Sequence, residues 1–347
     1  MTKTRRIEAA ALFHIGRGVC CRGFAGAFGG QGIAGAICGL VLFSAMVLGV
    51  VVPVAAEELR RPDAFTHHYA QLKDIKLHYV REGSGPPLIL LHGWPGFWWE
   101  YHRNIGPLAK DFDVIVPDMR GYGDSEKPPL DQPKLFSPDY VVDDIDALMA
   151  HLKIDQAYIV GHDWAAIILH KFVRKHPNRV IKAMIMDPIM PGAEQRYLSA
   201  AHAHESWYFW FHQLDMSVDL VASSREATKI YYKHFLSHWS FNKNLWSDEE
   251  IEIYTDNYRK PGNIHGGFNT YRGFAGFTDA DKVMSSMPMT FLSGQGDTVI
   301  SPKWVDLIPT FYDNYTLETV ADGGHYMMRE KSELVNDRIR RAFLSGK

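Results

Sequence analysis

A chain of 347 residues, of which 46% are hydrophobic, is long enough to bury one large core and to carry an insertion. Its formal net charge of -3 and its isoelectric point near 6.6 leave no excess of basic residues that would attract nucleic acid. Composition therefore excludes a nucleic-acid partner and favours a small, uncharged ligand.

Residues 1–56 differ in composition from the rest of the chain. Basic residues between Lys3 and Arg22 precede an uncharged run, residues 23–56, which ends in Val54-Ala55-Ala56. This order is typical of a secretory signal and predicts export to the periplasm or secretion. The apolar run also reaches the length that spans about 30 Å of hydrocarbon, so the alternative is an uncleaved inner-membrane anchor formed by residues 33–56. The exported chain would have no disulfide and no thiol nucleophile, because every cysteine lies in this leader: Cys20, Cys21 and Cys38.

From residue 57 onward, short apolar runs alternate with amphipathic helical segments. This alternation predicts an α/β fold in which a mostly parallel sheet carries helices on both faces. The first run, Ile75–Val80, alternates between apolar and polar residues, as expected of a half-exposed antiparallel strand. Continuous apolar runs predict strands that are buried on both faces: Pro87–Leu91, Val114–Pro117, Ala157–Val160, Ala183–Met186 and Met289–Leu292. Thr316–Val320 closes the series.

The strand pattern disappears between Asp187 and Pro288, where the sequence becomes helical and rich in aromatic residues. We interpret residues 188–287 as a helical lid, or cap, domain inserted between two strands. The catalytic core then consists of residues 57–187 and residues 288–347. Most of the lid aromatics are expected to be ordinary buried core.

A sharp strand-to-helix turn is predicted at Gly161-His162-Asp163-Trp164-Ala165, directly after the strand that ends at Val160. Small residues two positions before and after the centre permit such a turn and expose the central side chain above the sheet. The central residue is Asp163 rather than a serine. A carboxylate can attack a saturated carbon and form an alkyl ester, whereas a serine favours acyl transfer. The alternative role of Asp163 is that of a helix N-cap.

The loop His92-Gly93-Trp94-Pro95 follows the strand that ends at Leu91. In folds with such an elbow, two backbone N–H groups form an oxyanion hole, one from the residue after the nucleophile and one from this earlier loop. Trp164 and Trp94 are therefore the expected donors. They would stabilise the oxyanion that forms on the Asp163 carboxyl group while an ester is hydrolysed. A plain turn is the alternative.

The general base is expected after the last strand, where the sequence reads Gly323-Gly324-His325. A catalytic histidine needs a carboxylate that holds its tautomer and stabilises its imidazolium form. Asp297, which follows the next-to-last predicted strand, is the first choice, and Asp187, which ends the strand before the lid, is the rival. The order Asp163, Asp297, His325 then corresponds to nucleophile, acid and base.

Together these motifs resemble the epoxide hydrolase branch of the α/β-hydrolase family, in particular its secreted bacterial members. The resemblance extends from about Phe65 to the C-terminus. It depends on His92–Pro95, which matches the branch's His-Gly-x-Pro signature, and on the elbow Gly161–Trp164. Asp118–Ser125 matches a further family segment, which we interpret as structural. The resemblance implies the α/β-hydrolase fold, with a mostly parallel eight-stranded sheet and an inserted helical lid.

In that branch a pair of lid tyrosines hydrogen-bonds the epoxide oxygen and protonates it while the ring opens, because an alkoxide is a poor leaving group. The resemblance assigns these roles to Tyr208 and Tyr271. Some secreted relatives have a histidine at the first position and take the relay acid from the strand before the lid. His212, one helical turn after Tyr208, and Asp187 are therefore the alternatives.

The predicted activity is hydrolysis of a small, apolar epoxide to a vicinal diol, through an ester on Asp163 that a water molecule activated by His325 then hydrolyses. No metal and no organic cofactor is expected, because the sequence contains no Cys/His cluster and no phosphate-binding loop. The first alternative is a haloalkane-type dehalogenase with the same nucleophile, and the second is a non-catalytic, ligand-binding α/β-hydrolase. A homodimer is compatible with the sequence, and the membrane is a partner only if the N-terminal segment stays uncleaved.

Overall fold

One sheet of eight strands organises residues 59–344, which are the residues that this computed structural model describes. The predicted leader, residues 1–56, lies outside the described residues. The strands are β1 (His67–Gln71), β2 (Lys76–Glu82), β3 (Pro87–Leu91), β4 (Asp113–Pro117), β5 (Ala157–His162), β6 (Val180–Met186), β7 (Met289–Gly294) and β8 (Tyr315–Val320). Their order across the sheet is β1-β2-β4-β3-β5-β6-β7-β8. The pairs β1/β2 and β2/β4 are antiparallel, and the remaining neighbours are parallel.

Helices connect the strands. They are α1 (His102–Leu108), α2 (Pro138–His151), α3 (Trp164–Lys175), α4 (Ala193–Tyr197), α5 (Ala203–Gln213), α6 (Met216–Ala222), α7 (Arg225–Trp239), α8 (Asp248–Arg259), α9 (Asn263–Gly273), α10 (Ile308–Phe311), α11 (Met327–Glu330) and α12 (Ser332–Leu344). Short 3₁₀ turns complete the connections at Pro62–Ala64, Trp98–Tyr101, Pro133–Phe136, Pro177–Arg179, Ala200–His202, Ala280–Lys282 and Pro302–Leu307. None of the helices within residues 59–344 combines the length and the apolar character that a membrane span requires.

The apolar runs predicted as strands all form strands, β2 to β8, and the predicted α/β-hydrolase fold is confirmed. β2 is antiparallel to both of its neighbours, but the expectation that it is half-exposed is wrong, since residues 77–80 are all buried. The polar face of β2 is covered because His78 Nδ1 hydrogen-bonds Asp118 Oδ2 at 2.7 Å. The sequence does not predict β1, because Ala70 is its only buried residue and such an edge strand has no apolar run.

The four polar residues predicted from the motifs follow four neighbouring strands of the sheet. Asp163 comes after β5, Asp187 after β6, Asp297 after β7 and His325 after β8. These strands are parallel, so their carboxyl ends meet at one edge of the sheet, where α/β folds place their ligands. The topology therefore brings residues that are up to 162 positions apart to one place.

The chain between β6 and β7 forms the helices α4 to α9, in the segment where the sequence predicts a lid. Local signals explain where some of these helices begin. The Ser224 side chain accepts the Ala227 N–H at the start of α7, and Ser247 and Glu250 form a capping box at the start of α8. The division of the chain into core and lid domains stays a prediction.

Candidate active site

Asp163 occupies the turn between β5 and α3, with a backbone φ of 54° and ψ of -116°. A positive φ is rare for a residue with a side chain, and this strained geometry exposes the side chain of an elbow residue. Gly161 is required because a Cβ atom there would lie 2.7 Å from the carbonyl oxygen of Ala165. The local sequence therefore creates the turn that was predicted around Asp163.

Backbone N–H groups hold the Asp163 carboxyl group. The Trp94 N–H donates to Oδ1 at 2.7 Å, and the Trp164 N–H also hydrogen-bonds this carboxyl group. Gly93 permits the close approach, because a Cβ atom at that position would lie 2.6 Å from Oδ1. Both predicted donors thus converge on the predicted nucleophile, in the geometry of an oxyanion hole.

The Asp163 carboxyl group is buried, and its second oxygen faces the predicted base. Oδ2 lies 3.7 Å from His325 Nε2. Burial raises the pKa of Asp163, while the nearby His325 and His162 oppose that rise. The two carboxyl oxygens therefore have different surroundings, because Oδ1 accepts the Trp94 N–H and Oδ2 faces an imidazole.

His325 is oriented by Asp297. Its Nδ1 hydrogen-bonds Asp297 Oδ2 at 2.8 Å, and Asp297 Oδ1 accepts the backbone N–H groups of Val299 and Ile300 at 2.8 and 3.0 Å. Burial alone would lower the pKa of His325, but the charge and hydrogen bond of Asp297 outweigh burial, and the pKa lies above its usual value. This arrangement holds the imidazole with Nε2 towards Asp163.

Asp187, the rival acid, lies close to His325 without a hydrogen bond to it. Its Oδ2 is 4.0 Å from His325 Nδ1 and 3.5 Å from His162 Nε2, and its Oδ1 accepts the Gly294 N–H at 3.2 Å. Burial and the charge of Asp297 raise the pKa of Asp187. The geometry favours Asp297 as the partner of the imidazole.

A cavity of about 220 Å³ lies above the elbow. Asp163, Trp164, Tyr208 and Tyr271 line it, together with mostly apolar side chains: Ile167, Ile189, Ala193, Glu194, Tyr197, Leu198, Phe209, Phe274, Phe277, Ile300 and Trp304, and Gly276. The rings of Tyr208 and Tyr271 lie 5.6 Å apart at an angle of 81°. Both predicted tyrosines therefore share one cavity with the predicted nucleophile.

The two tyrosine hydroxyls have different partners. The Tyr208 hydroxyl oxygen accepts a hydrogen bond from the hydroxyl of Tyr197, whereas the buried Tyr271 hydroxyl has no phenol donor in the described chain and interacts with the Trp164 side chain, which acts to lower its pKa. Burial raises the pKa of both tyrosines well above its usual value. Both phenols consequently keep their protons at neutral pH.

His212, the alternative proton donor, is not part of the cavity wall. Its Nε2 hydrogen-bonds the Tyr231 hydroxyl at 2.7 Å, and its ring stacks on Phe268 with centroids 3.9 Å apart. Burial, assisted by the charge of Arg272, lowers the pKa of His212 well below its usual value. The imidazole is thus neutral and packed behind the tyrosines.

The motifs did not identify two further polar groups near the site. His162, next to the nucleophile, hydrogen-bonds Glu100 Oε1 and the carbonyl oxygen of His325, both at 2.9 Å. Burial alone would lower the pKa of His162, but Glu100 and Asp187 outweigh burial and raise its pKa well above the usual value. The signal in the sequence for this buried ion pair is Glu100, a carboxylate that lies inside the aromatic run Trp98–Tyr101. The other missed residue is Tyr197, which the sequence does not distinguish from the other aromatic residues between β6 and β7.

Comparisons with known proteins agree in pointing to one family. Residues 86–332 match the family model described as alpha/beta hydrolase fold. The chain is similar to the soluble epoxide hydrolase of Corynebacterium sp. (strain C12), at 31% identity over 78% of this chain and 95% of that protein. It is also similar to epoxide hydrolase 4 of Mus musculus, at 25% identity over 81% of this chain and 80% of that protein. Among solved structures it resembles the epoxide hydrolase CorEH without ligand, with a TM-score of 0.71, 28% identity, and coverage of 82% of this chain and 100% of that chain.

Proposed function

This chain belongs to the α/β-hydrolase family and to its epoxide hydrolase branch, and we propose that it opens an epoxide to a vicinal diol through a covalent ester on Asp163. The observation that carries the proposal is the set of partners around one carboxyl group. Oδ1 of Asp163 accepts a backbone N–H, Oδ2 faces His325, and the same carboxyl group lines the cavity that holds the phenols. Nucleophile, base and proton donors thus surround one small volume.

In the first step, Oδ2 of Asp163 attacks an epoxide carbon, because Oδ1 is held by backbone donors. The ring C–O bond breaks as the new C–O bond forms, and the departing oxygen takes a proton from Tyr208 or Tyr271. The products of this step are an alkyl ester and a phenolate. The raised pKa values of both tyrosines support the role, since both phenols are protonated when the substrate arrives.

In the second step, His325 takes a proton from a water molecule that attacks the ester carbonyl carbon. The negative charge develops on Oδ1, where each backbone donor is typically worth about 3 to 4 kcal/mol. Collapse of this intermediate releases the diol, whose oxygen takes the proton from His325. The proton lost as the Asp163 carboxylate re-forms restores the phenol, so the sum of both steps is epoxide plus water to diol.

The substrate proposed for this cavity is a small, apolar epoxide, with water as the second reactant. Apolar and aromatic side chains line most of the wall, and burying an unpaired ion against them is costly. The mechanism requires no metal and no organic cofactor. Because Tyr208 and Tyr271 come from α5 and α9, we assign residues 188–287 the role of a lid over a core of residues 57–187 and 288–347.

Single-turnover hydrolysis in isotopically labelled water, with enzyme in excess over an aryl epoxide such as styrene oxide, tests the mechanism. The ester route places the label in the Asp163 carboxyl group, because water attacks the carbonyl carbon and not the ring. Mass spectrometry of the peptide that contains Asp163 detects it. Label in the diol, with none in the peptide, would overturn the proposal.

Dehalogenation of a haloalkane would use the same ester, but it also needs donors that hold the departing halide. The Trp94 indole is buried, its Nε1 has no partner in the described chain, and a Cβ atom at Gly267 would lie 3.2 Å from that nitrogen. Trp94 is not among the residues that line the cavity. Halide release from a haloalkane, measured beside diol formation from styrene oxide, separates the two activities. A non-catalytic binding protein would show neither.

We also propose that the protein is exported and that residues 1–56 form the leader. The basic start, the uncharged run and the final Val54-Ala55-Ala56 support this proposal. N-terminal sequencing of the protein from the periplasm or the medium is expected to begin near Glu57. An intact N-terminus in the membrane fraction would favour the anchor instead.

A further inference from the structure

Tyr197 lines the same cavity as Asp163 and has no role in the mechanism above. It is the last residue of α4, and its hydroxyl donates a hydrogen bond to the hydroxyl oxygen of Tyr208. Packing fixes the position of the Tyr197 ring, whose centroid lies 5.6 Å from that of His202 and 6.4 Å from that of Trp304. The contact between the two phenols therefore joins two rings that are each held by neighbours.

The direction of this hydrogen bond decides what Tyr208 can do. A phenol has one proton to donate and lone pairs with which to accept. Because Tyr197 donates to the Tyr208 oxygen, the proton of Tyr208 is free for the epoxide oxygen. The Tyr271 hydroxyl has no phenol donor in the described chain, and the group that interacts with it is the Trp164 side chain. The two phenols over Asp163 are consequently not equivalent.

Charge changes on Tyr208 make the contact stronger during the reaction. As Tyr208 transfers its proton to the departing oxygen, its own oxygen becomes a phenolate in a buried site. A hydrogen bond to an ionised acceptor is roughly twice as strong as one between neutral groups. The Tyr197 hydroxyl stabilises this charge, which forms as the ring opens and lasts until the phenol is restored.

We propose that Tyr197 is a positioning residue for ring opening that acts through Tyr208, and that Tyr208 is the principal proton donor. The inference rests on the proposed ester mechanism. It predicts an effect of Tyr197 on the rate of the first step alone, because the phenolate forms there and is equally present in the ester and in the transition state of ester hydrolysis. Hydrolysis of the ester depends on His325 and the backbone donors, none of which contacts Tyr197.

A double-mutant cycle tests the inference, with the rate of ester formation measured by rapid quench and mass spectrometry under single-turnover conditions. Tyr197→Phe is expected to slow ester formation from styrene oxide by about 10- to 100-fold, the range for a hydrogen bond to a developing charge. The rate of ester hydrolysis stays unchanged. In a Tyr208→Phe background, Tyr197→Phe has no further effect, because the group through which it acts is already absent.

Tyr312→Phe is the matched control. It also removes a buried phenol, one that hydrogen-bonds His170 Nδ1 at 3.0 Å outside the cavity, and it is expected to leave both rates unchanged. If Tyr197→Phe fails to fold, 3-fluorotyrosine at position 197 replaces it as the probe. That side chain keeps the shape of tyrosine and is a stronger donor, so it should speed ester formation when Tyr208 is present and not in Tyr208→Phe.

Three outcomes would overturn the inference. The first is a Tyr197→Phe enzyme with normal ester formation, and the second is an effect of equal size in the presence and absence of the Tyr208 hydroxyl. The third is a wild-type enzyme that forms no ester, which removes the proposed function as well. The first two leave the ester mechanism intact, so the two failures are distinguishable.

Discussion

His325 has two carboxylates near its Nδ1, and only Asp297 hydrogen-bonds it. Asp297→Asn is expected to slow hydrolysis of the ester by about 100- to 10,000-fold, because the amide does not stabilise the imidazolium form. Asp187→Asn, whose carboxyl oxygen is 4.0 Å from the ring, is expected to slow it by less than about tenfold. Single-turnover decay of the ester measures both. A larger loss in Asp187→Asn would make Asp187 the relay acid.

The pH dependence of Asp297→Asn should change in a defined direction. His325 must be neutral to accept a proton from water. Burial lowers its pKa while Asp297 raises it, with a net rise, so removing the negative charge lowers the pKa. The neutral form then persists to lower pH, and the acid limb of ester hydrolysis moves to lower pH. A limb that stays in place, measured by rapid quench over the range in which histidine titrates, would contradict this prediction.

At the residue scale, the sequence predicts the groups that sit within a motif and misses those defined by distant contacts. Asp163 and His325 are recognisable because each follows a strand in a short run with glycine. The ion pair of His162 with Glu100 joins residues 62 positions apart. The partner of Tyr197 lies on a different helix, α5. No local pattern distinguishes these contacts from ordinary core packing.

At the scale of elements, the loop between β3 and α1 depends on Gly93. A Cβ atom there would lie 2.4 Å from the Cβ of Asp163, so Gly93→Ala must displace the loop and its Trp94 N–H. Ester hydrolysis is expected to slow by about 100-fold or more, the effect of losing one oxyanion donor. Rapid quench measures this rate, and thermal unfolding reports whether the fold persists.

Gly106→Ala is the control for that prediction. Gly106 lies in α1, and the nearest atom to its Cβ position is 3.6 Å away, an ordinary contact. Alanine there should leave catalysis unchanged and change the free energy of unfolding by less than about 1 kcal/mol, because the gain in helix propensity is opposed by crowding of the new Cβ against the ring of Pro107. Equal rates of ester hydrolysis in both variants would show that the loop does not depend on Gly93.

Asp118, after β4, joins three elements. Its carboxylate accepts the backbone N–H groups of Trp98 and Asp124, both at 2.9 Å, and bonds His78 of β2 at 2.7 Å. Asp118→Asn is expected to lower the free energy of unfolding by about 3 kcal/mol or more, because a buried pair loses its charge. The exposed pair of Asp143 and Lys175 is the control, and Asp143→Asn should change the free energy by less than about 1 kcal/mol.

The stability from Asp118 should also depend on pH. Burial raises the pKa of this carboxyl group, but its bonds to His78 outweigh burial and lower the pKa below its usual value. Its contribution is therefore present above the pKa of the unfolded chain, near 3.9, and is lost as pH falls through the lower pKa of the folded protein. Urea titrations at pH about 7 should give a higher free energy of unfolding for the wild type than for Asp118→Asn. In strongly acidic conditions the two free energies should converge. A difference in free energy of unfolding that is as large in strong acid as at neutral pH would contradict this prediction.

The elements follow from the sequence wherever burial produces a pattern. β3 to β7 are apolar because both faces are covered, and each contains its predicted run. β1 escapes prediction because its position at the edge of the sheet, and not its own residues, makes it a strand. Pairing with the neighbouring strand stabilises this short segment, whose own polar residues do not favour a strand.

At the scale of the whole molecule, the cavity wall comes from segments that are far apart in sequence. Trp164 and Ile167 belong to α3, Tyr208 to α5, Tyr271 to α9, and Trp304 to the connection after β7. Sequence motifs predicted several polar side chains that the fold brings together at this cavity and next to it. They did not predict the size or lining of the cavity, because these depend on how the helices pack together.

The same lining predicts which epoxides react fastest. The wall is mostly apolar, and besides Asp163 it contains the carboxylate of Glu194, which accepts the Gly192 N–H at 2.7 Å. A carboxylated aryl epoxide must lose hydration and face this negative charge, so its kcat/KM should be at least about tenfold below that of styrene oxide. Glu194→Gln should raise the value for the carboxylated substrate and leave that for styrene oxide unchanged. Equal values in the wild type would contradict this prediction.

In the proposed mechanism, the hydrogen bond from the Trp94 N–H to Oδ1 gives the two carboxyl oxygens of Asp163 different fates. The oxygen that bonds the substrate leaves in the diol, and an oxygen atom from water takes its place before the next cycle begins. The other carboxyl oxygen, Oδ1, which accepts the backbone N–H, stays in the enzyme. After many cycles in isotopically labelled water, the Asp163 carboxyl group should therefore contain one labelled oxygen atom and never two. The diol from the first turnover should contain an unlabelled oxygen atom that came from the Asp163 carboxyl group.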